Sequence, residues 1–266
     1  MSGPQYDKYG GDTACLEVRT KNDQIIIVDA GSGIRRLGNR LRKERRSTFT
    51  MFFTHSHWDH ILGFPFFKPI YDPATRIELF GCPMTTGNMV QLLAGVMKPP
   101  HFPVPYGEIE AAVHYQGVCA ESLLIDSVSI SSIPLSHPNL GAGFRFDEDG
   151  RSLVFLTDNE LGHHHRGGKT FEEYTNFSRG ADIFIHDAEY TPADYRKTKS
   201  WGHSCYPDAL RLALAAGVKR FGLYHHNQDR DDAGVDAMVA DCQRLAQEAG
   251  SDLEVFGVTQ DSEFTL

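Results

Sequence analysis

Three histidines and an aspartate fall within six positions, His55-Ser56-His57-Trp58-Asp59-His60, directly after the apolar run Phe49-Thr50-Met51-Phe52-Phe53. Imidazole and carboxylate are the donors that Zn²⁺, Mn²⁺ or Fe²⁺ accept. His55 and His57 are two apart, so on an extended segment they point the same way. Asp59 and His60 follow in a turn and can serve a second ion nearby. The competing reading is a solvated loop rich in histidine by chance, which the density of ligand-type residues at a strand end disfavours.

Four other apolar segments stop at the same kind of polar cluster. SISSIPL runs into Ser136-His137-Pro138, SLVFL into Thr157-Asp158-Asn159, DIFI into His186-Asp187, and RFGLY into His225-His226. In layered α/β proteins a site forms outside the carboxyl ends of the strands. A plainer reading stands beside each: His137 as a satisfied structural residue, Asp158 as a turn cap, Asp187 and His203 as a pair bracing a sheet edge. His225 and His226 compete for one role. The run His163-His164-His165 lies in a Gly-rich loop and is read as having no ligand role.

The elements that must position these residues alternate short β-branched or aromatic runs with longer helical patterns, which argues for an α/β architecture. Strands are predicted at Ala14–Arg19, Gln24–Asp29, Phe49–Thr54, Arg76–Phe80, Ser127–Pro134, Gly143–Phe146, Ser152–Thr157, Asp182–Ile185, Arg220–Tyr224 and Leu253–Val258. DEDG at 147–150 makes a hairpin of two of them. Helices are predicted at Ile34–Arg42, Thr86–Met97, Pro207–Ala216 and Val235–Ala249, the third framed by Pro207 and Gly217. In the fourth, Val235, Met238, Val239, Cys242 and Leu245 form one apolar face. With no repeat or linker-like stretch, the chain reads as a single domain, 1–266.

The 266 residues are 41% hydrophobic and 23% charged, an ordinary globular balance. A formal net charge of −9 disfavours extended nucleic acid as a partner. It admits a small anionic substrate, because bound cations reverse the local potential. The five cysteines are odd in number and form no CxxC pair, so no disulfide framework or cysteine zinc site is expected. No signal pattern or long apolar span is present, so no membrane partner and a cytoplasmic location are expected.

The HxHxDH pattern at 55–60 resembles that of the metallo-β-lactamase superfamily, and the resemblance extends over nearly the whole chain. It implies a four-layer αββα sandwich. His137 matches the third histidine of the first metal site, Asp158 the bridging carboxylate, and His225, directly after its strand, the last histidine of the second. The implied cofactors are two divalent ions, Zn²⁺ foremost, with Mn²⁺ or Fe²⁺ as alternatives. His55, His57 and His137 would hold one, and Asp59, His60 and His225 the other. Relatives usually open with a further β-strand before the segment matching YGGDT (9–13); here that first strand is expected to be missing or truncated.

Within the superfamily the details lean to one branch. Common class B β-lactamases place a cysteine in the second site, a role that falls here to Asp158 in TDNE. HDAEY (186–190) resembles the HEAT motif, and GHSCY (202–206) the GHST motif, of ribonuclease Z and cyclic-nucleotide phosphodiesterases. The resemblance makes Asp59, His203 and Asp187 catalytic residues, with Asp187 orienting His203. A hydroxide between the metals would be the nucleophile. The long basic arm with which ribonuclease Z grips tRNA is absent, which favours a small phosphodiester such as a cyclic nucleotide. A thioester or lactone hydrolase on the same core is the alternative, and a non-catalytic metal-binding sensor a third reading. The insert Pro65–Pro105, with Phe66, Phe67, Met97 and Phe102, can wall a leaving-group pocket or form a homodimer interface.

Overall fold

A computed structural model describes residues 3–82, 88–119 and 122–266. The chain divides into two compact units, residues 12–120 and residues 1–11 with 121–266, each with a hydrophobic core of its own.

The 12–120 unit is built on a five-stranded sheet in the order β1 (Leu16–Arg19), β2 (Ile25–Val28), β3 (Thr48–Phe52), β4 (Arg76–Phe80), β5 (Ala112–Gln116). β1 pairs antiparallel with β2, and the remaining pairs are parallel. All four residues of β2 are buried, which is why its sequence, Ile-Ile-Ile-Val, shows no alternation. Helix Gly33–Lys43 packs Ile34, Leu37 and Leu41 into the core with Phe49, Met51 and Phe67. β5 was not legible in the sequence. It is an edge strand with polar His114 and Gln116, so it lacks an apolar run.

The expectation that no disulfide forms is corrected here. Cys82 and Cys119 are bonded, with Cα atoms 4.2 Å apart. The reason is register: Phe80 pairs with Gln116 at the ends of parallel β4 and β5, so residues just beyond them become neighbours despite a separation of 37. The predicted helix Thr86–Met97 begins outside the described residues; its observed span is Met89–Val96, capped by the Asn88 side chain.

The second unit carries a seven-stranded sheet. Its strands are β6 (Leu123–Ile125), β7 (Val128–Pro134), β8 (Ala142–Glu148), β9 (Arg151–Leu156), β10 (Ile183–Asp187), β11 (Arg220–Tyr224) and β12 (Glu254–Gly257), and they lie side by side in reverse order from β12 to β6. β9 to β12 are mutually parallel, and β6 to β9 antiparallel. β8 and β9 form the predicted hairpin, with Asp149 and Gly150 both at positive φ.

Helix Tyr206–Ala216 ends at Gly217 in the left-handed conformation, as Pro207 and Gly217 had suggested. Helix Asp232–Glu248 buries Val235, Met238, Cys242 and Ala246, with Val239 and Leu245 partly buried against the same core. Two short helices, Phe171–Ser178 and Pro192–Thr198, escaped the periodicity reading. Both open with a complete capping box, Thr170 with Glu173 and Thr191 with Asp194, a signal their sequences do carry. Among the described residues no helix is long and apolar enough to cross a membrane.

Candidate metal centre

In the 12–120 unit, β3 delivers the chain into Thr54 and His55, and the helical turn Trp58–Ile61 carries Asp59 and His60. The His55 and His57 rings lie 4.5 Å apart and those of His55 and His60 4.2 Å apart, centroid to centroid. His60 Nε2 is 3.2 Å from Asp59 Oδ2. The loop is packed tightly against the end of β2. Ala30 N–H donates to His60 C=O at 2.7 Å, and a Cβ on Gly31 would fall 2.2 Å from the Asp59 carbonyl, so only glycine fits.

Behind these rings stands a residue that sequence reasoning missed. Asp29 is fully buried and has φ 65 at the end of β2. Its Oδ2 accepts from His60 Nδ1–H and from the Thr54 hydroxyl, each at 2.8 Å, and its Oδ1 accepts from Thr54 N–H. Thr54 Oγ1 in turn accepts from His55 Nδ1–H at 3.0 Å. An aspartate closing an all-apolar strand was the available signal.

In the second unit, the ends of β7, β9 and β11 bring His137, Asp158 and His225 together, and the segment before helix Tyr206–Ala216 adds His203. His137 Nε2 is 3.8 Å from Asp158 Oδ2, and His225 Nε2 is 3.5 Å from Asp158 Oδ1. His203 Nε2 lies 4.0 Å from Asp158 Oδ2, and its ring stacks on that of His225 at 4.7 Å. Asp158 and His225 hold φ values of 51 and 55, a conformation such residues adopt sparingly and one that clusters at functional sites. His226 turns away. Its Nε2 faces the Val258 carbonyl at 2.9 Å and its ring edge meets Tyr9.

His137, His225 and His203 each have an acceptor beside Nδ1, which assigns a proton there and turns Nε2 towards Asp158. Gly202 C=O serves His137 at 2.9 Å, Glu189 Oε2 serves His225 at 3.2 Å, and Asp187 Oδ2 serves His203 at 2.7 Å. An acceptor stands beside Nδ1 at His55 and His60 as well. This donor set, imidazole Nε2 with carboxylate oxygen, fits a divalent cation. Glu189, also unread in the sequence, sits within 4.8 Å of the ligand atoms of both His203 and His225, on their Nδ1 side. Burial works against its charged form, but His225, His203 and Asn227 hold its carboxyl below the ordinary value.

The electrostatics of His203 are decided by competition. Burial lowers the pKa of the imidazole, while the Asp187 and Asp158 carboxylates raise it, and the carboxylates win, pushing it up to about 9. Asp187 is fully buried, and burial pushes its carboxyl up against the pull of His203.

Two regions singled out in the sequence have other surroundings. Phe67 and Met97 of the 65–105 insert are core residues, whereas Phe66 is 52% exposed with its ring edge against Phe102. In the 163–165 run, His165 Nε2 donates to buried Glu160 at 2.8 Å, and His163 and His164 line a cavity of about 340 Å³ with Ser136, Lys169 and Tyr174.

Comparison with known proteins bears on all of this. The family described as Beta-lactamase superfamily domain matches residues 24–226, a span that runs through both units. Ribonuclease Z of Haloarcula marismortui is 25% identical over 221 residues, covering 66% of this chain and 68% of its own. The metallo-beta-lactamase fold protein YhfI from Bacillus subtilis superposes with a TM-score of 0.67 at 17% identity, over 95% of this chain and 94% of that one. Human tRNase Z, short form, does so with a TM-score of 0.60 at 20% identity, over 86% and 91%.

Proposed function

We propose that this chain, a metal-dependent hydrolase belonging to the beta-lactamase superfamily, hydrolyses a small phosphodiester such as a cyclic nucleotide. In this reading His55, His57 and His137 would hold one divalent cation and Asp59, His60 and His225 a second, with Asp158 offering its carboxylate to both. The nitrogen and oxygen donors suit Zn²⁺ first, with Mn²⁺ or Fe²⁺ also served. Bound cations supply a lowered water pKa and neutralise charge on the attacking and leaving oxygens.

The observation that carries the reading is the Asp187–His203 pair beside Asp158. Asp187 Oδ2 accepts from His203 Nδ1–H at 2.7 Å and fixes the ring, and a proton on Nε2 is then presented 4.0 Å from Asp158 Oδ2. As water adds to phosphorus and the P–O bond to the leaving group breaks, His203 Nε2–H protonates the departing alkoxide. Such an acid is needed for a ribose oxygen and superfluous for a good leaving group. Similarity to ribonucleases, whose name denotes cleavage of phosphodiesters, supports the choice of bond. The acidic chain supports a small anion rather than an extended nucleic acid.

The test compares leaving groups. His203→Ala is expected to slow cyclic-nucleotide hydrolysis by ~10²–10⁴-fold, the usual worth of a positioned acid. Bis(p-nitrophenyl) phosphate should be affected far less, with bound metal unchanged. Equal losses on both substrates would remove the general-acid role. A metal-loaded wild type that opens a thioester or lactone but ignores every phosphodiester would overturn the reading.

A further inference from the structure

Glu160 lies two residues beyond Asp158 and is 1% exposed, yet nothing above gives it a task. Its two oxygens face four donors. Oε1 accepts from the Tyr195 hydroxyl and Ser200 N–H, each at 2.7 Å, and Oε2 accepts from Gly202 N–H and His165 Nε2–H, each at 2.8 Å. That fills about the four lone-pair sites a carboxylate offers, and a group with no donor of its own is required there.

Three of the donors belong to the polypeptide 195–202 that leads into His203. Ser200 and Gly202 have φ values of 75 and 102, so this stretch turns twice through left-handed backbone, at a cost of roughly 1–2 kcal/mol for the serine. Such a conformation persists only where its surroundings impose it. Both of these residues give their N–H to Glu160. Gly202 admits no side chain, because a Cβ would fall 2.2 Å from His137 Nδ1. Its carbonyl then accepts from that same Nδ1 at 2.9 Å. One residue held by Glu160 therefore orients a metal-type imidazole and immediately precedes the proton-donating one.

We infer that Glu160 is a positioning residue, acting through the Ser200–Gly202 backbone to aim the His203 imidazole. The inference rests on the phosphodiesterase reading for its kinetic consequence only. It also gives the histidine run a part, since His165 is one of the four anchors.

Glu160→Gln is the informative variant: near-isosteric, but its amide nitrogen faces two donors and forfeits both bonds. Its kcat on a cyclic nucleotide should fall ~10–100-fold, as for other residues that orient a ligand from behind. Bis(p-nitrophenyl) phosphate should lose little. Combined with His203→Ala the substitution should add almost nothing on the cyclic nucleotide, since both remove one function. Nitrogen NMR of labelled histidine reads the geometry directly: the His203 resonances should move in Glu160→Gln and return towards wild type in Glu160→Asp. That second variant keeps an ionised acceptor and serves if Gln impairs folding. Equal losses on both substrates, full additivity with His203→Ala, or unmoved histidine resonances would each reduce Glu160 to a structural anchor and overturn the inference. Failure of wild type on all phosphodiesters would sink the functional reading instead, and the NMR result would still judge Glu160.

Discussion

The 12–120 unit offers its ligand-type residues from one stretch of six, whereas the second unit gathers His137, Asp158, His203 and His225 from four places spread over 89 positions of the chain. The first group needs one strand, one turn of helix and Gly31 to be correct. The second depends on parallel register across the sheet. Leu156 pairs with His186 and Asp187 with Tyr224, so the residues just past β9, β10 and β11 emerge side by side at strand spacing, roughly 5 Å. Both solve the orientation problem alike, with a buried carboxylate behind the last imidazole: Asp29 behind His60, Glu189 behind His225. The difference is therefore in how each group is assembled, and experiments can ask whether it is also a difference in metal binding.

The largest effect is expected at Asp158. On the proposed reading Asp158 would serve both ions, so Asp158→Asn should remove both by metal analysis, while His57→Ala should remove one and leave circular dichroism unchanged. Asparagine tolerates the left-handed backbone at this position, so the comparison is not clouded by strain. Activity should drop by more than ~100-fold in each, beyond what residues outside the metal shell cause. One ion lost from Asp158→Asn would mean that Asp158 serves a single ion.

A smaller effect should follow from His225→Asn, again a residue suited to positive φ, compared with His226→Ala. The first should weaken one metal site by more than ~100-fold, since on the proposed reading it would remove a ligand and not merely its support. The second should leave both metals in place and lower the melting temperature, because it removes a ring packed on Tyr9 and a hydrogen bond to Val258. If His226→Ala were the variant that loses metal, the strand end would be read one residue out.

The smallest contrast sharpens the comparison most. Asp29→Asn and Glu189→Gln should each cost ~10–100-fold in metal affinity. Asp29→Asn should also destabilise the fold by about 1–3 kcal/mol, because an amide nitrogen would face the Thr54 or His60 donors in a fully buried place. Glu189→Gln should leave stability nearer wild type. Chemical denaturation beside metal titration reads both, and equal stability losses would erase the distinction.

What the sequence by itself determined was whatever depends on neighbours along the chain. The HSHWDH stretch, the apolar strands that stop at polar residues, the Asp149-Gly150 hairpin and the Pro207 and Gly217 helix boundaries all rest on local geometry. Burial on both faces writes β2 and β10 as continuous apolar runs, while the edge strands β5 and β6, exposed on one side, leave almost no pattern. Tertiary structure alone decided the rest. The Cys82–Cys119 bond needed the register of β4 against β5. Which of His225 and His226 faces Asp158 was set by a left-handed turn at His225. Asp29, Glu189 and Glu160 are ordinary acidic residues in sequence. They become orienting groups only when burial removes water and leaves each with donors from segments up to 42 residues away, as between Glu160 and Gly202.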